Sequence, residues 1–118
     1  MIILKEPLAI FDCDDTLVSW HYSEHKTQNS IAFTDPTTQE IFFLEEIKVH
    51  TQALKNHKLR GHTIVVWSAS GAAWAEEVVT RLGLTGYVDA CMTKPNWAYD
   101  DLPASEFIPE SIRKYLVK

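Results

Sequence analysis

A short apolar run that ends in a cluster of acids is the feature that most constrains the fold of this chain of 118 residues. Residues 8–11 are continuously apolar, which is typical of a strand buried on both faces, and residues 12–16 read Asp-Cys-Asp-Asp-Thr. We therefore predict a strand over residues 8–12 with acidic side chains at its end. Asp12 and Asp14 share one face if the backbone stays extended, and two close carboxylates repel unless a cation joins them. Mg²⁺ is the natural counter-ion.

The rest of the chain alternates between strand-like and helix-like segments. Turn residues at 35–39 separate two apolar runs, 31–34 and 40–44, and this pattern predicts a hairpin. Further strands are predicted at 63–67, 87–92 and 97–99, with helices at about 45–60, at 74–82 and from Pro109 onward. Strands that alternate with helices imply an α/β fold with a short, mostly parallel sheet. The length fits one domain, residues 1–118, because it leaves no room for a second module of similar size.

Composition narrows the class of protein. Apolar residues make up 46% of the chain and charged residues 23%, which is typical of a soluble globular domain and excludes a disordered or membrane-spanning class. The first seven residues lack the features of a signal peptide, so we expect a cytoplasmic protein without membrane contact. Cys13 and Cys91 form no disulfide framework or zinc motif and are predicted to be buried, inert thiols.

The charge pattern bears on nucleic-acid binding. The formal net charge is −5, and no dense Lys/Arg cluster occurs, which argues against tight binding of duplex DNA. One modestly basic helix face is predicted, and a solvated surface explains it most simply; its members are Lys48, Lys55, Lys58 and Arg60.

Polar residues follow the predicted strands at the ends where parallel α/β sheets bind ligands. Asp12 and Asp14 follow the first strand and Ser68 the second, and Lys94 lies after the third. The pair Asp100 and Asp101 comes after the predicted fourth strand. Acids for a cation, a hydroxyl and an ammonium for phosphate oxygens, and a carboxylate nucleophile are the groups that metal-assisted phosphoryl transfer needs.

These segments resemble, in order, the four motifs of the haloacid dehalogenase superfamily. They are residues 10–18, residues 65–68, Lys94-Pro95 and residues 99–101. The first motif, Asp-x-Asp-x-Thr after an apolar strand, is fairly specific, whereas the single serine and the single lysine gain weight only from their order. The resemblance spans residues 8–101. Residues 65–106 also look like small hydrolases of this superfamily from phage genomes, a likeness that names no substrate.

The resemblance implies a Rossmann-like three-layer sandwich and a role for each motif residue. Asp12 would attack phosphorus and form an aspartyl-phosphate, and Asp14 would act as the general acid and base. Ser68 and Lys94 would bind the phosphoryl oxygens. Mg²⁺ would be held by the Asp12 side chain, the Asp14 backbone carbonyl and Asp100. The second acid of that pair, Asp101, would help directly or through water, and either of the two is a candidate for the direct ligand.

Two departures from the family pattern concern the shape of the site. Many relatives have a helix between the lysine and the last acids, but here only residues 95–99 intervene, so we expect an abbreviated sheet. The stretch between the first two motifs has room for a hairpin and a helix but not for a cap domain. We therefore predict an open site with a small flap at residues 20–44. Its candidate substrate-facing residues are Trp20, His21 and Tyr22; alternatively, these aromatics pack against the base of their own hairpin.

Each candidate also has a simpler interpretation. Ser68 can cap the helix that follows it, and Lys94 can be an ordinary surface lysine. Asp100 and Asp101 can belong to a plain loop. Core, pocket-wall or surface positions are expected for the remaining polar and aromatic residues considered, which are Trp67, Trp74, His25, His50, His57 and His62.

The favoured function is a Mg²⁺-dependent phosphomonoester hydrolase acting on a small-molecule phosphate ester such as a nucleotide. One alternative is a phosphatase of nucleic-acid ends, resembling the phosphatase domain of polynucleotide kinase-phosphatases, which would need a basic groove along the strand. Another is a non-catalytic binding module with the same fold. A phosphoacceptor receiver domain fails because it needs an aspartate at the end of a middle strand, and none lies between Asp35 and Asp89. The oligomeric state stays open.

Overall fold

The structure, a computed structural model, describes residues 1–21, 25–103 and 106. Within these residues the order of elements follows the alternation seen in the sequence. The elements are β1 (Leu8–Asp12), β2 (Val18–Ser19), β3 (Ser30–Thr34), β4 (Ile41–Glu46), α1 (Lys48–Leu59), β5 (Thr63–Ser68), α2 (Ala72–Arg81) and β6 (Ala90–Thr93). A 3₁₀ turn, Thr85–Tyr87, precedes β6.

The first sheet is parallel, with the strand order β1-β5-β6. Its register pairs Asp12 with Trp67 and Ser68 with Thr93, so the carboxyl ends of all three strands meet at one edge. The central strand β5 is the most buried of the three, and three consecutive residues, 64–66, are buried in it. The predicted α/β fold with a short parallel sheet is confirmed.

The second sheet is antiparallel, with the order β2-β4-β3. It contains the predicted hairpin, whose turn begins at Asp35: the carboxylate of Asp35 accepts the backbone N–H groups of Thr37 at 2.8 Å and Thr38 at 3.2 Å. Phe33 and Leu44, on its two strands, have no exposed surface. The segment predicted as a flap therefore contributes side chains to the hydrophobic core.

The core lies on one face of the parallel sheet. Alternate strand residues point to opposite faces, and the residues of β1 and β5 that pack with both helices share one face; they are Ala9, Phe11, Ile64 and Val66, which meet Leu54 of α1 and Val78 of α2. The opposite face of β1 carries Leu8 and Ile10, which are 40% and 37% exposed. Among the described residues the helices thus cover one face, whereas the sequence led us to expect cover on both.

Three predicted element boundaries shift in the structure. Helix α1 begins at Lys48 rather than near residue 45, because Glu45 and Glu46 extend β4 and pair with β2. Strand β6 begins at Ala90 rather than 87, because residues 85–87 form the 3₁₀ turn. The predicted helix from Pro109 lies outside the described residues.

The predicted strand at residues 97–99 is wrong. The structure assigns no strand to these residues, and the side chains of Trp97 and Tyr99 are 80% and 98% exposed. Aromatic residues favour strands when they pack against a sheet surface, and neither side chain packs on a sheet of the described residues. None of the helices in the described ranges has the length and apolar character needed to cross a membrane.

Candidate functional site at the sheet edge

The carboxyl edge of the parallel sheet brings three of the predicted site residues together. Asp12 is the last residue of β1, Ser68 is the last residue of β5, and Lys94 directly follows β6. Neighbouring strands lie about 4.8 Å apart, so the three backbones are close at this edge. The backbone N–H of Lys94 donates to the Ser68 carbonyl at 2.9 Å, which fixes the chain after β6 against the end of β5.

A tight turn follows Asp12. The carbonyl oxygen of Cys13 accepts the backbone N–H groups of Thr16, Leu17 and Val18 at 3.1, 2.9 and 3.2 Å. Asp15 adopts φ of 59°, in the left-handed region that Asp tolerates better than most residues, and its N–H donates to the Val18 carbonyl at 2.7 Å. The run of acids is therefore part of a defined, hydrogen-bonded loop.

Hydrogen bonds from α1 and from the residue before it fix this loop. Thr16 and His50 are only 9% and 3% exposed, and the Nδ1–H of His50 donates to the Thr16 carbonyl at 2.6 Å. The N–H of Ile47 also donates to the Leu17 carbonyl at 2.9 Å. His50 was expected only to occupy the core or surface. Its spacing with Ile47 and Leu54, at positions i, i+3 and i+7 of one helix face, is the sequence signal for this inward position.

Asp12 itself is partly buried and has no side-chain partner in the described ranges. No hydrogen bond or ion pair engages its carboxylate there, in contrast with the network around the turn that follows it. A carboxylate with both oxygens available can act as a nucleophile or as a metal ligand.

Asp14 has a different environment. One of its carboxylate oxygens, Oδ1, accepts the indole N–H of Trp20 at 2.9 Å and the indole N–H of Trp74 at 3.0 Å. Trp20 follows β2, whereas Trp74 lies in the first turn of α2 and is 4% exposed. The two acids of the first motif thus differ, since Asp12 is unpartnered and Asp14 is held by two donors.

Ser68 lies on the core side of the sheet, with 1% of its surface exposed. Its Oγ accepts the backbone N–H of Ser70 at 3.0 Å. The alternative in which Ser68 caps the following helix is wrong, because Gly71 occupies the N-cap position with φ of 111° and the first N–H of α2, that of Ala72, donates to Thr93 Oγ1 at 3.1 Å. The hydroxyl hydrogen of Ser68 stays available for a further acceptor.

Lys94 is exposed, and its ammonium group lies 5.8 Å from the ring centroid of Trp67. Trp67 is the register partner of Asp12, so the lysine turns back from the end of β6 toward the middle of the sheet edge. Within the described part of the chain no carboxylate pairs with Lys94. Its charge is therefore available to an anionic ligand.

Asp100 and Asp101, the acidic pair predicted to help hold the metal ion, are exposed. The N–H of Leu102 donates to Oδ1 of Asp100 at 3.0 Å. This hydrogen bond, together with hydrogen bonding from Asp101, holds the pKa of Asp100 below its ordinary value. Among the described residues no three His, Cys, Asp or Glu side chains are gathered in a group that could hold a metal ion. The structure thus does not place this pair together with Asp12 and Asp14 in a preformed metal site.

The donor chemistry of the edge nevertheless fits Mg²⁺. This ion keeps several waters and is usually bound through one or two carboxylates together with substrate phosphates, so it needs no cage of three side chains. Asp12 offers an unpartnered carboxylate, and no backbone N–H in the described ranges donates to the carbonyl oxygen of Asp14. Both are hard oxygen donors on one turn. The Mg²⁺ site itself stays a prediction.

The cysteine within the motif plays no part in this chemistry. Cys13 has no exposed surface, and burial, followed by the negative charges of Asp14 and Asp12, raises the pKa of its thiol far above the ordinary value. Burial also raises the pKa of Cys91, which is partly exposed, and both cysteines are free. A thiol that stays protonated is a poor nucleophile. The predicted burial of Cys13 is confirmed, whereas Cys91 is only partly buried.

The three residues predicted to face the substrate from the flap, Trp20, His21 and Tyr22, have different surroundings. The ring of Trp20 packs 4.9 Å from that of Phe42 in the hairpin, which matches the alternative in which the aromatics pack at the hairpin base. His21 is exposed, and its backbone N–H donates to Ser19 Oγ at 3.3 Å. Tyr22 lies outside the described residues. Substrate contact by any of the three stays a prediction.

Comparison of the chain with protein-family models, with curated proteins and with solved structures gives no match.

Proposed function

We propose that this chain is a Mg²⁺-dependent phosphomonoester hydrolase that works through an aspartyl-phosphate. The observation that carries the proposal is the position of Asp12: it ends β1 at the ligand-binding edge of a parallel sheet and has no protein partner in the described part of the chain. The third strand of the same sheet, β6, leads directly to Lys94, whose ammonium forms no ion pair with a described residue. A free carboxylate and a free ammonium at one edge suit an anionic phosphate ester.

In the proposed reaction an oxygen of Asp12 forms a bond to phosphorus while the bond from phosphorus to the leaving oxygen breaks. Asp14 gives its proton to that leaving oxygen. A water molecule then attacks the aspartyl-phosphate, passes a proton to Asp14 and releases inorganic phosphate, which restores both acids. Covalent catalysis replaces one difficult displacement by two easier ones.

The groups around the phosphoryl centre would stabilise charge. The ammonium of Lys94 balances the negative phosphoryl oxygens, and the hydroxyl of Ser68, whose Oγ already accepts Ser70 N–H, has one hydrogen left to donate. Mg²⁺, held by Asp12, the Asp14 carbonyl and the acidic pair at residues 100–101, would neutralise charge on the phosphate and the attacking carboxylate.

Exposed aromatic side chains support a nucleotide as the substrate. Trp97 and Tyr99 lie in the chain between Lys94 and Asp100, and most of their surface is exposed. Three residues of chain span at most about 11 Å. The Cα atom of Trp97 therefore lies within that distance of the Cα atoms of Lys94 and Asp100. Aromatic faces at this position can stack on a base whose phosphate sits at the sheet edge.

A phosphorylated nucleic-acid end is the second candidate, because it would present the same phosphate and the same base to these residues. A longer strand would need a basic groove, and two of the cations on the basic helix face are already engaged by neighbouring side chains. Lys58, one of the four cations of the basic helix face, is bound to Asp89 at 2.8 Å, and Lys55 lies 5.6 Å from the ring centroid of Tyr87.

The test is phosphate release from p-nitrophenyl phosphate by the wild type and by Asp12→Asn, each with Mg²⁺ and with a chelator. We expect phosphate release only by the wild type and only when Mg²⁺ is present. Nucleoside monophosphates, sugar phosphates and 5′-phosphorylated oligonucleotides then rank the substrates. Equal activity of both proteins would identify a contaminant and remove the proposal, and so would a wild type inactive on every ester.

A further inference from the structure

Asp14 is the meeting point of two parts of the molecule that are distant in sequence. Trp20 reaches its Oδ1 from the end of the second sheet, and Trp74 reaches the same atom from α2, at 2.9 and 3.0 Å. The two tryptophans are separated by the hairpin, α1 and β5. Two donors of identical chemistry on one oxygen of one carboxylate form an arrangement that the proposed function alone does not explain.

The rings of these tryptophans are fixed by aromatic packing. Trp20 and Trp74 lie with ring centroids 6.2 Å apart, and Trp20 packs on Phe42 at 4.9 Å. Trp74 packs on Phe33 at 6.1 Å, and both Trp74 and Phe33 are buried. The indole N–H groups are therefore held in place by side chains of the second sheet as well as by α2.

The chemistry of the indole group determines which carboxylate oxygen of Asp14 can carry a proton. An indole N–H donates a hydrogen bond and cannot accept one. Oδ1 of Asp14 must therefore act as an acceptor toward both tryptophans whether or not the residue carries a proton. A proton on Asp14 belongs on Oδ2, the oxygen that neither indole occupies.

We propose that Trp20 and Trp74 are positioning residues that clamp Oδ1 of Asp14 and so direct Oδ2 toward the leaving oxygen of the substrate. This proposal rests on the proposed role of Asp14 as the proton donor. Because Trp20 directly follows β2 and packs on Phe42 of β4, the packing of the second sheet then sets the orientation of the acid. A purely structural tether between the hairpin and α2 is the competing interpretation.

The two interpretations differ in how activity depends on the leaving group. An alkoxide needs a proton as it departs, whereas p-nitrophenolate leaves readily without one. For Trp20→Phe and Trp74→Phe we expect kcat/KM on an alkyl phosphate, which reports the steps up to departure of the leaving group, to fall about 10- to 100-fold, as a misplaced catalytic group does. The fall on p-nitrophenyl phosphate should be several times smaller. Equal losses on both esters would overturn the positioning role and leave the proposed phosphatase intact.

Controls separate the lost N–H from lost packing. Ile64→Val removes a buried methylene group from β5 and leaves both indole donors and the rings packed on them in place, and we expect it to lower Tm while retaining the wild-type ratio of the two activities. Replacing either tryptophan by 3-benzothienylalanine, in which sulfur takes the place of the indole N–H, keeps the ring size. This replacement should reproduce the leaving-group effect of the Phe variants; a wild-type ratio here would overturn the proposal even if the Phe variants fold poorly.

A measurement without substrate tests the contact itself. In ¹⁵N-labelled protein, Asp14→Ala should shift two of the indole N–H resonances upfield, those of Trp20 and Trp74, and leave those of Trp67 and Trp97 near their wild-type positions. Unshifted Trp20 and Trp74 resonances would show that the clamp does not form. If the wild type hydrolyses no ester, the proposed function and the catalytic part of the clamp fall together, and these resonances still report whether the contact exists.

Discussion

The two edges of the parallel sheet carry aspartates in opposite situations. At the amino edge, just before β6, the carboxylate of Asp89 accepts the ammonium of Lys58 at 2.8 and 3.0 Å and the backbone N–H of Ile64 at 2.8 Å. At the carboxyl edge, Asp12 ends β1 with no such partner in the described ranges. The same residue type on the same sheet is fully hydrogen-bonded at one edge and left unpartnered at the other.

The difference separates a structural carboxylate from a reactive one. Asp89 joins α1, β5 and β6, and its partners stabilise the folded state. Asp12 gains no comparable contact from the described residues. A carboxylate that lies at a ligand-binding edge without a partner among the described residues is typical of a functional site, where the rules of local structure are often broken.

Replacing the unpartnered acid should have the largest effect on activity. For Asp12→Asn we expect phosphate release to fall by about 10⁴-fold or more, because the amide cannot form the aspartyl-phosphate. The free energy of unfolding should be unchanged or up to about 1 kcal/mol higher, since a repelling charge is removed. Denaturant titration measures the second quantity; a strongly destabilised variant would contradict the description of Asp12 as unpartnered.

The exposed acids at residues 100–101 should have an intermediate effect. We expect Asp100→Asn to raise the Mg²⁺ concentration for half-maximal activity by at least about tenfold, with activity restored at high Mg²⁺ and Tm unchanged. A Mg²⁺ titration of phosphate release measures this shift. Asp101→Asn is the matched variant, and the larger of the two shifts identifies the direct ligand. An unchanged Mg²⁺ dependence in both would exclude this pair from the site.

Asp89→Asn should lower stability and leave activity unchanged, which is the opposite of the result expected for Asp12→Asn. We expect it to lower the free energy of unfolding by about 1–2 kcal/mol, because it weakens a charged hydrogen bond and one to a backbone N–H, and to leave kcat unchanged. A double-mutant cycle with Lys58→Met isolates the contribution of the pair. A loss of activity in the folded Asp89→Asn protein would break the contrast between the two edges.

The pH dependence of stability should show the smallest effect. The hydrogen bond from Lys58, and then the one from Ile64 N–H, hold the pKa of Asp89 below its ordinary value of 3.8. A lowered folded-state pKa stabilises the protein above the unfolded value, and this stability is lost as pH falls through the folded-state pKa. The stability difference between wild type and Asp89→Asn should therefore be constant well above pH 3.8 and shrink below it. A difference that grows on acidification has the wrong sign for this pair.

The sequence was sufficient to predict features that depend on local pattern. The strand ending at Asp12, the hairpin around Asp35 and the buried strand that ends near Ser68 all have apolar runs bounded by turn or polar residues, and each is present. Because parallel strands place their carboxyl ends at one edge, the meeting of Asp12, Ser68 and Lys94 also followed from the order of these elements.

Features that depend on packing between distant segments could not be predicted. The hydrogen bonds from Trp20 and Trp74 to Asp14 arise only once the second sheet packs against α2, and no spacing in the sequence encodes that contact. The predicted strand at residues 97–99 failed for the same reason, since strand propensity depends on a surface to pack on. The position of the acidic pair relative to Asp12 is likewise tertiary information.

The central claim, that Asp12 becomes phosphorylated, has a direct test. The wild type is mixed with a ³²P-labelled phosphate ester and Mg²⁺, quenched in acid within the first turnover and analysed for label on the denatured chain. The account predicts label that hydroxylamine removes, as it does from an acyl phosphate, and that Asp12→Asn lacks. A wild type that releases labelled phosphate without ever carrying it, or an Asp12→Asn protein that carries it equally, would contradict the account.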